Sequence, residues 1–175
     1  KGRVPDQVWS LSQHSAGLLV RFVSDSTAIN LRWKLRFGNL AMDHMPATGV
    51  SGLDLYLRTE KGFRWSGVGR PTAIPINTVC AVGELPRVLR EWMLYLPLYN
   101  GVESVEIGVD RAAVIGCAPV RPDPRPLVIY GTSISHGGCA SRPGMAYPAL
   151  LGRRLDRAVV NLGFSGNGKM EKTMA

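Results

Sequence analysis

The stretch Arg121-Pro122-Asp123-Pro124-Arg125-Pro126-Leu127-Val128-Ile129-Tyr130-Gly131-Thr132-Ser133 separates two textures of sequence. Its first six residues hold three prolines, Pro122, Pro124 and Pro126. Proline has no amide donor and restricts the residue before it, so this segment cannot join a sheet ladder. It reads as an interdomain linker over 121–126. The next four residues are apolar without a break and end on Gly131, the pattern of a parallel strand covered on both faces. Downstream, Gly144–Asp156 reads as a helix in which Pro148 is tolerable only near the first turn. Met145, Ala149, Leu151 and Leu155 would form its buried side. Ala158-Val159-Val160-Asn161-Leu162 is a second buried strand and runs into the glycine-rich Gly163–Gly168. Strand, loop, helix, strand make one βαβ unit.

Upstream of the prolines the period is two. Ile29, Leu31, Trp33, Leu35 and Phe37 alternate with Asn30, Arg32, Lys34 and Arg36, which puts one face in a core and the other in water. Leu53, Leu55 and Leu57 repeat the alternation. Glu60-Lys61-Gly62 then offers a turn, with Phe63 and Trp65 beyond it, as in a hairpin. Trp92–Leu98 is strand-like, with Pro97 suggesting an edge or a bulge. Asn100-Gly101 is a strong turn signal, after which Val105, Ile107 and Val109 alternate again. Short strands without a long helix indicate an antiparallel sandwich. The expected fold is α+β and multidomain: a β-sandwich over 1–120, the linker over 121–126, and the beginning of an α/β domain over 127–175.

Composition narrows the class. The 175 residues are 45% hydrophobic and 19% charged, which suits a packed globular chain and excludes a disordered one. No run approaches the roughly 18 consecutive apolar residues needed to cross a bilayer, so no membrane span is expected. Lys1-Gly2-Arg3-Val4-Pro5 does not form a signal peptide, and the first residue is not Met, as after removal of a leader or tag. The formal charge is +8, but the arginines and lysines are scattered (Arg21, Arg32, Lys34, Arg36, Arg58, Lys61, Arg64, Arg70, Arg87, Arg90) and many alternate with apolar residues. A nucleic-acid partner would want that charge on one face, so none is expected. The positive field would still favour anionic substrates or surfaces. Cys80, Cys117 and Cys139 fit no zinc spacing and no dense disulfide framework. One disulfide and a free thiol is conceivable from the count, but three small buried residues is the expected arrangement.

Two places carry chemistry. Ser133 follows a buried strand at a glycine-containing turn where a helix should begin. The carboxyl end of a parallel strand opens onto the crevice where α/β proteins bind ligands. Amides at a helix start can stabilise a developing oxyanion, and a hydroxyl there can attack an acyl carbon once a base takes its proton. An ordinary N-cap serine would occupy the same position, and position alone favours that plainer reading. The second place is Asn161-Leu162-Gly163-Phe164-Ser165-Gly166-Asn167-Gly168, which ends the next strand and should lie beside Ser133. A glycine amide there could be a second oxyanion donor, or the segment could be a flexible loop.

The run Gly131-Thr132-Ser133-Ile134-Ser135-His136-Gly137-Gly138-Cys139-Ala140-Ser141-Arg142-Pro143-Gly144-Met145-Ala146-Tyr147 resembles the first conserved block of SGNH hydrolases. More narrowly, it resembles a bacterial GDSL-like branch with a Gly-x-Ser-Ile start and a Ser-Arg-Pro-Gly-Met tail. Asn161–Gly168 is similar to the second block. Val50-Ser51-Gly52-Leu53-Asp54-Leu55-Tyr56 resembles the Gly-x-Asp-Leu-Tyr signature of the β-sandwich domain that precedes the catalytic domain in that branch, and Arg90–Val109 fits the same domain. The resemblance implies a jelly-roll-like sandwich followed by the first βαβ unit of a flavodoxin-like three-layer α/β/α domain. It implies Ser133 as nucleophile, the amides of Ser133 and Gly166 as oxyanion donors, and no metal or cofactor. Asn167 and His136 would be substrate or loop contacts. It favours a secreted or periplasmic location.

The family's third oxyanion donor is an asparagine in a later block, and its base is a histidine in an Asp-x-x-His block later still. Neither block lies within these 175 residues. His14, His44 and His136 are the only histidines, and none stands where the family places its base. The chain is therefore expected to be an N-terminal portion, with the remainder of the hydrolase as a partner and little esterase activity on its own. The implied substrate is a small-molecule or carbohydrate ester with a short acyl group, by analogy alone. A different reading makes the sandwich a binding module for sugar or a partner chain, with Trp9, Trp33, Trp65 and Trp92 as a stacking platform. Gly163–Lys169 also has the Gly-x-x-x-x-Gly-Lys spacing of a phosphate loop, but Met170 stands where a Ser or Thr would hold magnesium.

Overall fold

The computed structural model describes residues 1–121 and 123–174. Pro122 of the expected linker and the terminal Ala175 lie outside the described residues. The chain begins with the short helix α1 (Asp6–Leu11). It continues through β1 (Leu19–Ser24), β2 (Ile29–Leu35), α2 (Ala47–Val50), β3 (Leu53–Thr59), β4 (Gly62–Gly69), β5 (Ile76–Val82), β6 (Arg90–Tyr95), β7 (Val102–Gly108) and β8 (Ile115–Cys117). Two antiparallel sheets result, one in the order β4-β3-β6-β1-β8 and one in the order β5-β2-β7.

The period-two reading of β2 matches its burial residue by residue. Ile29, Leu31, Trp33 and Leu35 are buried, while Asn30, Arg32 and Lys34 face water. There Arg32 and Lys34 pair with Glu106 and Glu103 of β7 at 2.9 and 2.7 Å. Such exposed pairs contribute little stability, but they account for two of the scattered cations. The inward side chains meet Phe22, Leu53, Leu55, Trp92, Leu94 and Leu96 from the facing sheet in one core. β3 and β4 form the expected hairpin, with a bulge between Leu55 and Tyr56.

Several expectations change. β6 is an interior strand between β3 and β1, not an edge. Pro97 causes no bulge there because the strand has already ended at Tyr95. Asn100-Gly101 is a corner between the two sheets, not a hairpin turn. Asn100 is fully buried, and its side chain accepts from the Phe37 amide and donates toward the carbonyls of Phe37 and Asn39 and the Ser51 hydroxyl. The four tryptophans form no common platform: Trp33 and Trp92 are 1% and 0% exposed in the core, because both project between the sheets. All three cysteines are exposed and free. Cys80 lies on β5 and Cys117 on β8, at the edges of their sheets, and edge position leaves even small apolar side chains open to solvent.

After the proline-rich segment come β9 (Leu127–Gly131), α3 (Ser133–His136), a 3-10 turn (Pro143–Met145), α4 (Tyr147–Leu155) and β10 (Val159–Gly163). β9 and β10 pair in parallel, with Leu127 opposite Val159 and Gly131 opposite Gly163. This is the predicted βαβ unit, and Pro148 sits in the first turn of α4 as its chemistry requires. The predicted single helix over 144–156 is interrupted at Ala146, whose backbone is extended.

Of its predicted apolar side, Ala149 packs against Tyr56, Met93 and Tyr95, but the other three residues do not turn inward. Pro148 and Gly152 are buried, whereas Met145 is exposed and Leu151 and Leu155 are 38% and 55% exposed. The two strands are likewise only half covered, since the cross-strand neighbours Val128 and Val160 are 62% and 41% exposed. Among the described residues the layer over this sheet lies on one face, so the opposite apolar row stays open.

The two parts pack through the outer face of the larger sheet. β3 turns Leu53 and Leu55 into the core and Asp54 and Tyr56 outward, yet all four are buried. The turn over 142–144 covers Asp54, and α4 sets the Arg153 guanidinium 4.0 Å above the Tyr56 ring and 5.3 Å from that of Tyr95.

Candidate active site

The parallel register of β9 and β10 brings both carboxyl ends to the same sheet edge, and each continues into a segment of interest. From β9 the chain turns at Thr132 into α3, so Ser133 is the first helical residue. Its carbonyl accepts the amides of Gly137 and Gly138 at 3.0 and 2.7 Å. Ser133 is half-buried and Ile134 beyond it is exposed. From β10 the chain runs into the loop over 164–168. The Phe164 amide donates to the Gly131 carbonyl at 2.8 Å, tying this loop to the residue two before Ser133. Gly168 returns to the same place: a Cβ there would stand 2.5 Å from the Gly131 carbonyl oxygen and 2.9 Å from the Thr132 methyl.

Close approach explains Gly163. A side chain on it would overlap the backbone of His136, so α3 can lie against the end of β10 only if that residue lacks a Cβ. Gly166, at the loop tip, has φ +72° and open space around it. Asn167 folds back on its own loop: its amide donates to the Phe164 carbonyl at 2.8 Å and its side chain to the Ser165 carbonyl at 3.0 Å. The phosphate-loop reading of Gly163–Lys169 meets an obstacle here. A phosphate cradle needs a helix start after the lysine, and among the described residues no α-helix begins after Lys169, where the chain forms the 3-10 turn Lys172–Met174.

His136 goes to the interior. It is 1% exposed, and its Nε2 stands 2.6 Å from the Leu98 carbonyl. A carbonyl can only accept, so Nε2 carries the proton. The Nδ1 atom of His14 faces the same nitrogen at 3.3 Å, and the Tyr99 ring stacks on the imidazole at 4.3 Å between centroids. Burial lowers the His136 pKa, against the opposing pull of the Leu98 and Gly163 backbones. Burial, followed by the charge of His136, lowers that of His14 to about 4. Both rings are therefore neutral near pH 7. The expected substrate contact through His136 is replaced by a seam contact, since the short α3 turns its last residue toward the sandwich. His44 lies exposed in the sandwich part.

Asp54, within the Gly-x-Asp-Leu-Tyr stretch, has a role its sequence neighbours do not show. This carboxylate is fully buried and accepts the Gly144 amide at 2.9 Å, the Trp65 indole N–H at 3.0 Å, the Arg142 Nε–H at 3.2 Å and the Tyr56 hydroxyl at 3.2 Å. It thus holds the Arg142-Pro143-Gly144 turn against β3. Gly144 must be glycine, because a Cβ would press into the Tyr56 ring and stand 2.7 Å from Asp54 Oδ2. Burial pushes the Asp54 carboxyl above the usual range, and Arg142 with the hydrogen bonds offsets this only in part. An acidic residue between two core leucines was the available signal. Tyr99 and Ser165, joined by a hydrogen bond of 3.3 Å, left no signal in spacing. Among the described residues no group of three or more His, Cys, Asp or Glu side chains converges to hold a metal ion, and no helix is long and apolar enough to cross a membrane.

The family described as GxDLY, the N-terminus of SGNH-hydrolase-type esterases, matches residues 1–115. The GDSL-like lipase/acylhydrolase family matches residues 124–175. The chain belongs to the GDSL-like (SGNH) hydrolases. A crystal structure from Bacteroides ovatus, described as a GDSL-like lipase, superposes with TM-score 0.92 at 38% identity, over 98% of this chain and 50% of that one. Two more distant structures share the fold. The salicylyl-acyltransferase of a tetracycline biosynthetic pathway has TM-score 0.69 at 19% identity, over 95% of this chain and 44% of its own. A family two carbohydrate esterase from Clostridium thermocellum, in complex with cellohexaose, has TM-score 0.55 at 16% identity, over 87% and 46%. No curated protein matches. The chain spans about half the length of the solved structures it matches. As a GDSL-like hydrolase it combines the α+β, sandwich-first architecture with Ser133 and the 163–168 loop at one sheet edge.

Proposed function

We propose that this hydrolase is a serine esterase that removes short acyl groups, acetyl above all, from carbohydrate through an acyl-serine intermediate on Ser133. One observation supports the reading most: the Ser133 turn and the 163–168 loop leave neighbouring parallel strands at the same end and are joined by the Phe164–Gly131 hydrogen bond. In the proposed reaction Ser133 Oγ attacks the acyl carbon and loses its proton to a histidine. The amides of Ser133 and Gly166 hold the tetrahedral oxyanion, with Asn167 beside the bound ester. Collapse of the intermediate expels the sugar hydroxyl, which takes back the proton, and water then cleaves the acyl-serine by the same steps. The base is assigned to the Asp-x-x-His block that the family resemblance implies, since His14 and His136 are committed to the seam. The carbohydrate substrate rests on likeness to the carbohydrate esterase fold, and the division of the chain at 121–126 on the change of texture there.

The test is covalent. Full-length protein is treated with a fluorophosphonate and the adduct is mapped by mass spectrometry. The expected result is labelling at Ser133, lost in Ser133→Ala together with a drop of about 10⁴-fold or more in ester turnover. Labelling at another residue would overturn the proposal. Residues 1–175 alone are expected to turn over ester poorly, and wild-type turnover by them would remove the need for a distant base.

A further inference from the structure

The Tyr99 hydroxyl comes from the sandwich part yet stands between the two segments of the candidate site. It donates to Ser165 Oγ at 3.3 Å and lies 3.5 Å from the Ser133 carbonyl oxygen. An atom added at Gly138, in the turn after α3, would meet it at 3.1 Å. One hydroxyl thus touches the turn that carries the nucleophile and the loop that carries Gly166.

Tyr99 is itself firmly held. Its amide donates to the Val50 carbonyl at 3.1 Å, its ring stacks on buried His136 with an interplanar angle of 21°, and its neighbour Asn100 is fully buried and bonded to two loops. The loop is tied to β9 at its two ends, by Phe164 and Gly168, and Asn167 bonds within the loop, while Gly166 at the tip has positive φ and open space around it. Ser165, next to Gly166, is where the rigid sandwich element reaches the tip itself. Burial raises the Tyr99 pKa, which keeps the phenol a donor across the neutral range.

We infer that Tyr99 is a positioning residue through which the β-sandwich sets the spacing between the Ser133 turn and the Ser165–Gly166 loop, so that their amides converge on one oxyanion. The inference rests on the reading of Ser133 as nucleophile. A misplacement of about 1 Å at such a site can cost up to a hundredfold in rate, so one hydroxyl can govern turnover without touching substrate.

The experiment uses the full-length enzyme with p-nitrophenyl acetate. Tyr99→Phe keeps the stacked ring and removes only the hydroxyl. It is expected to lower kcat by about five- to twentyfold while KM stays within about twofold, the thermal midpoint holds and the pH profile keeps its shape. Ser165→Ala removes the other end of the bond and should give a similar loss, with the double variant no worse than either single one. Wild-type kcat in Tyr99→Phe, or losses that multiply in the double variant, would overturn the inference. Should Tyr99→Phe fail to fold, an unchanged kcat in Ser165→Ala overturns it alone. Ser133→Ala separates the two ideas: if it still turns over ester, the nucleophile reading fails, whereas a dead Ser133→Ala beside a normal Tyr99→Phe removes only the role of Tyr99.

Discussion

Strands β2 and β9, one from each part of the molecule, end in opposite environments. β2 alternates, and each of its inward residues is buried; β9 is apolar without a break up to Gly131, and its second residue, Val128, is 62% exposed. An alternating strand needs cover on one face only, and the sandwich supplies it from its own facing sheet. A continuous apolar strand needs two covering layers, and among the described residues β9 and β10 receive one. Alternation in this molecule is a complete instruction, whereas a continuous run is half of one whose second layer must come from elsewhere.

That contrast can be broken experimentally. The largest effect is expected in the sandwich core, where Trp33→Ala should destabilise the protein by about 3–5 kcal/mol, read from chemical denaturation. A loss below about 1 kcal/mol would mean that the sandwich core is not what holds the fold.

Next comes the seam. Asp54→Ala strands the Gly144 amide, the Trp65 indole and the Arg142 guanidinium, so a loss of about 2–3 kcal/mol is expected. It lies below the usual figure for a broken buried pair because the Arg142 side chain keeps 26% exposure. Hydrogen exchange should show the 142–144 turn loosening before β2; uniform loosening would count against a local anchor.

Acid should sharpen the same boundary. His14 and His136 have folded pKa values below the unfolded value of 6.5. Their contribution is therefore present above pH 6.5 and is lost as pH falls toward about 4, where His14 titrates in the folded protein. The expected loss over that window is on the order of 1–2 kcal/mol after allowance for partial exposure of His14. His14→Gln should flatten the dependence between pH 6.5 and 4, and an unchanged slope would assign it to other groups. Asp54 works in the opposite sense, since a raised carboxyl pKa makes its charge a cost that grows as pH rises through that value. The smallest effect is expected on α4, where Leu155→Ser should change the stability of residues 1–175 by no more than about 0.5 kcal/mol. A large loss there would show that this helix face is covered after all.

The candidate site was legible to the extent that it is local. Ser133 after a strand ending in glycine, and a glycine-rich loop after the next strand, are patterns of neighbouring residues. The parallel register that aligns Gly131 with Gly163 follows from the βαβ connection. The partners of His136 were not legible, because three residues of separation from Ser133 say nothing about direction: the four-residue α3 sets its ring against Leu98 and Tyr99.

By itself the sequence determined the two textures, the inward face of β2, the β3–β4 hairpin and the turn that presents Ser133, because each depends on residues within a few positions of one another. Only the tertiary structure decided that Asp54 would be a buried anchor, that Pro97 would follow an interior strand and that Tyr99 would reach Ser165. Those outcomes depend on which surface lies opposite, and a side chain's environment is set by partners far along the chain, 90 residues away between Asp54 and Gly144 and 122 between His14 and His136.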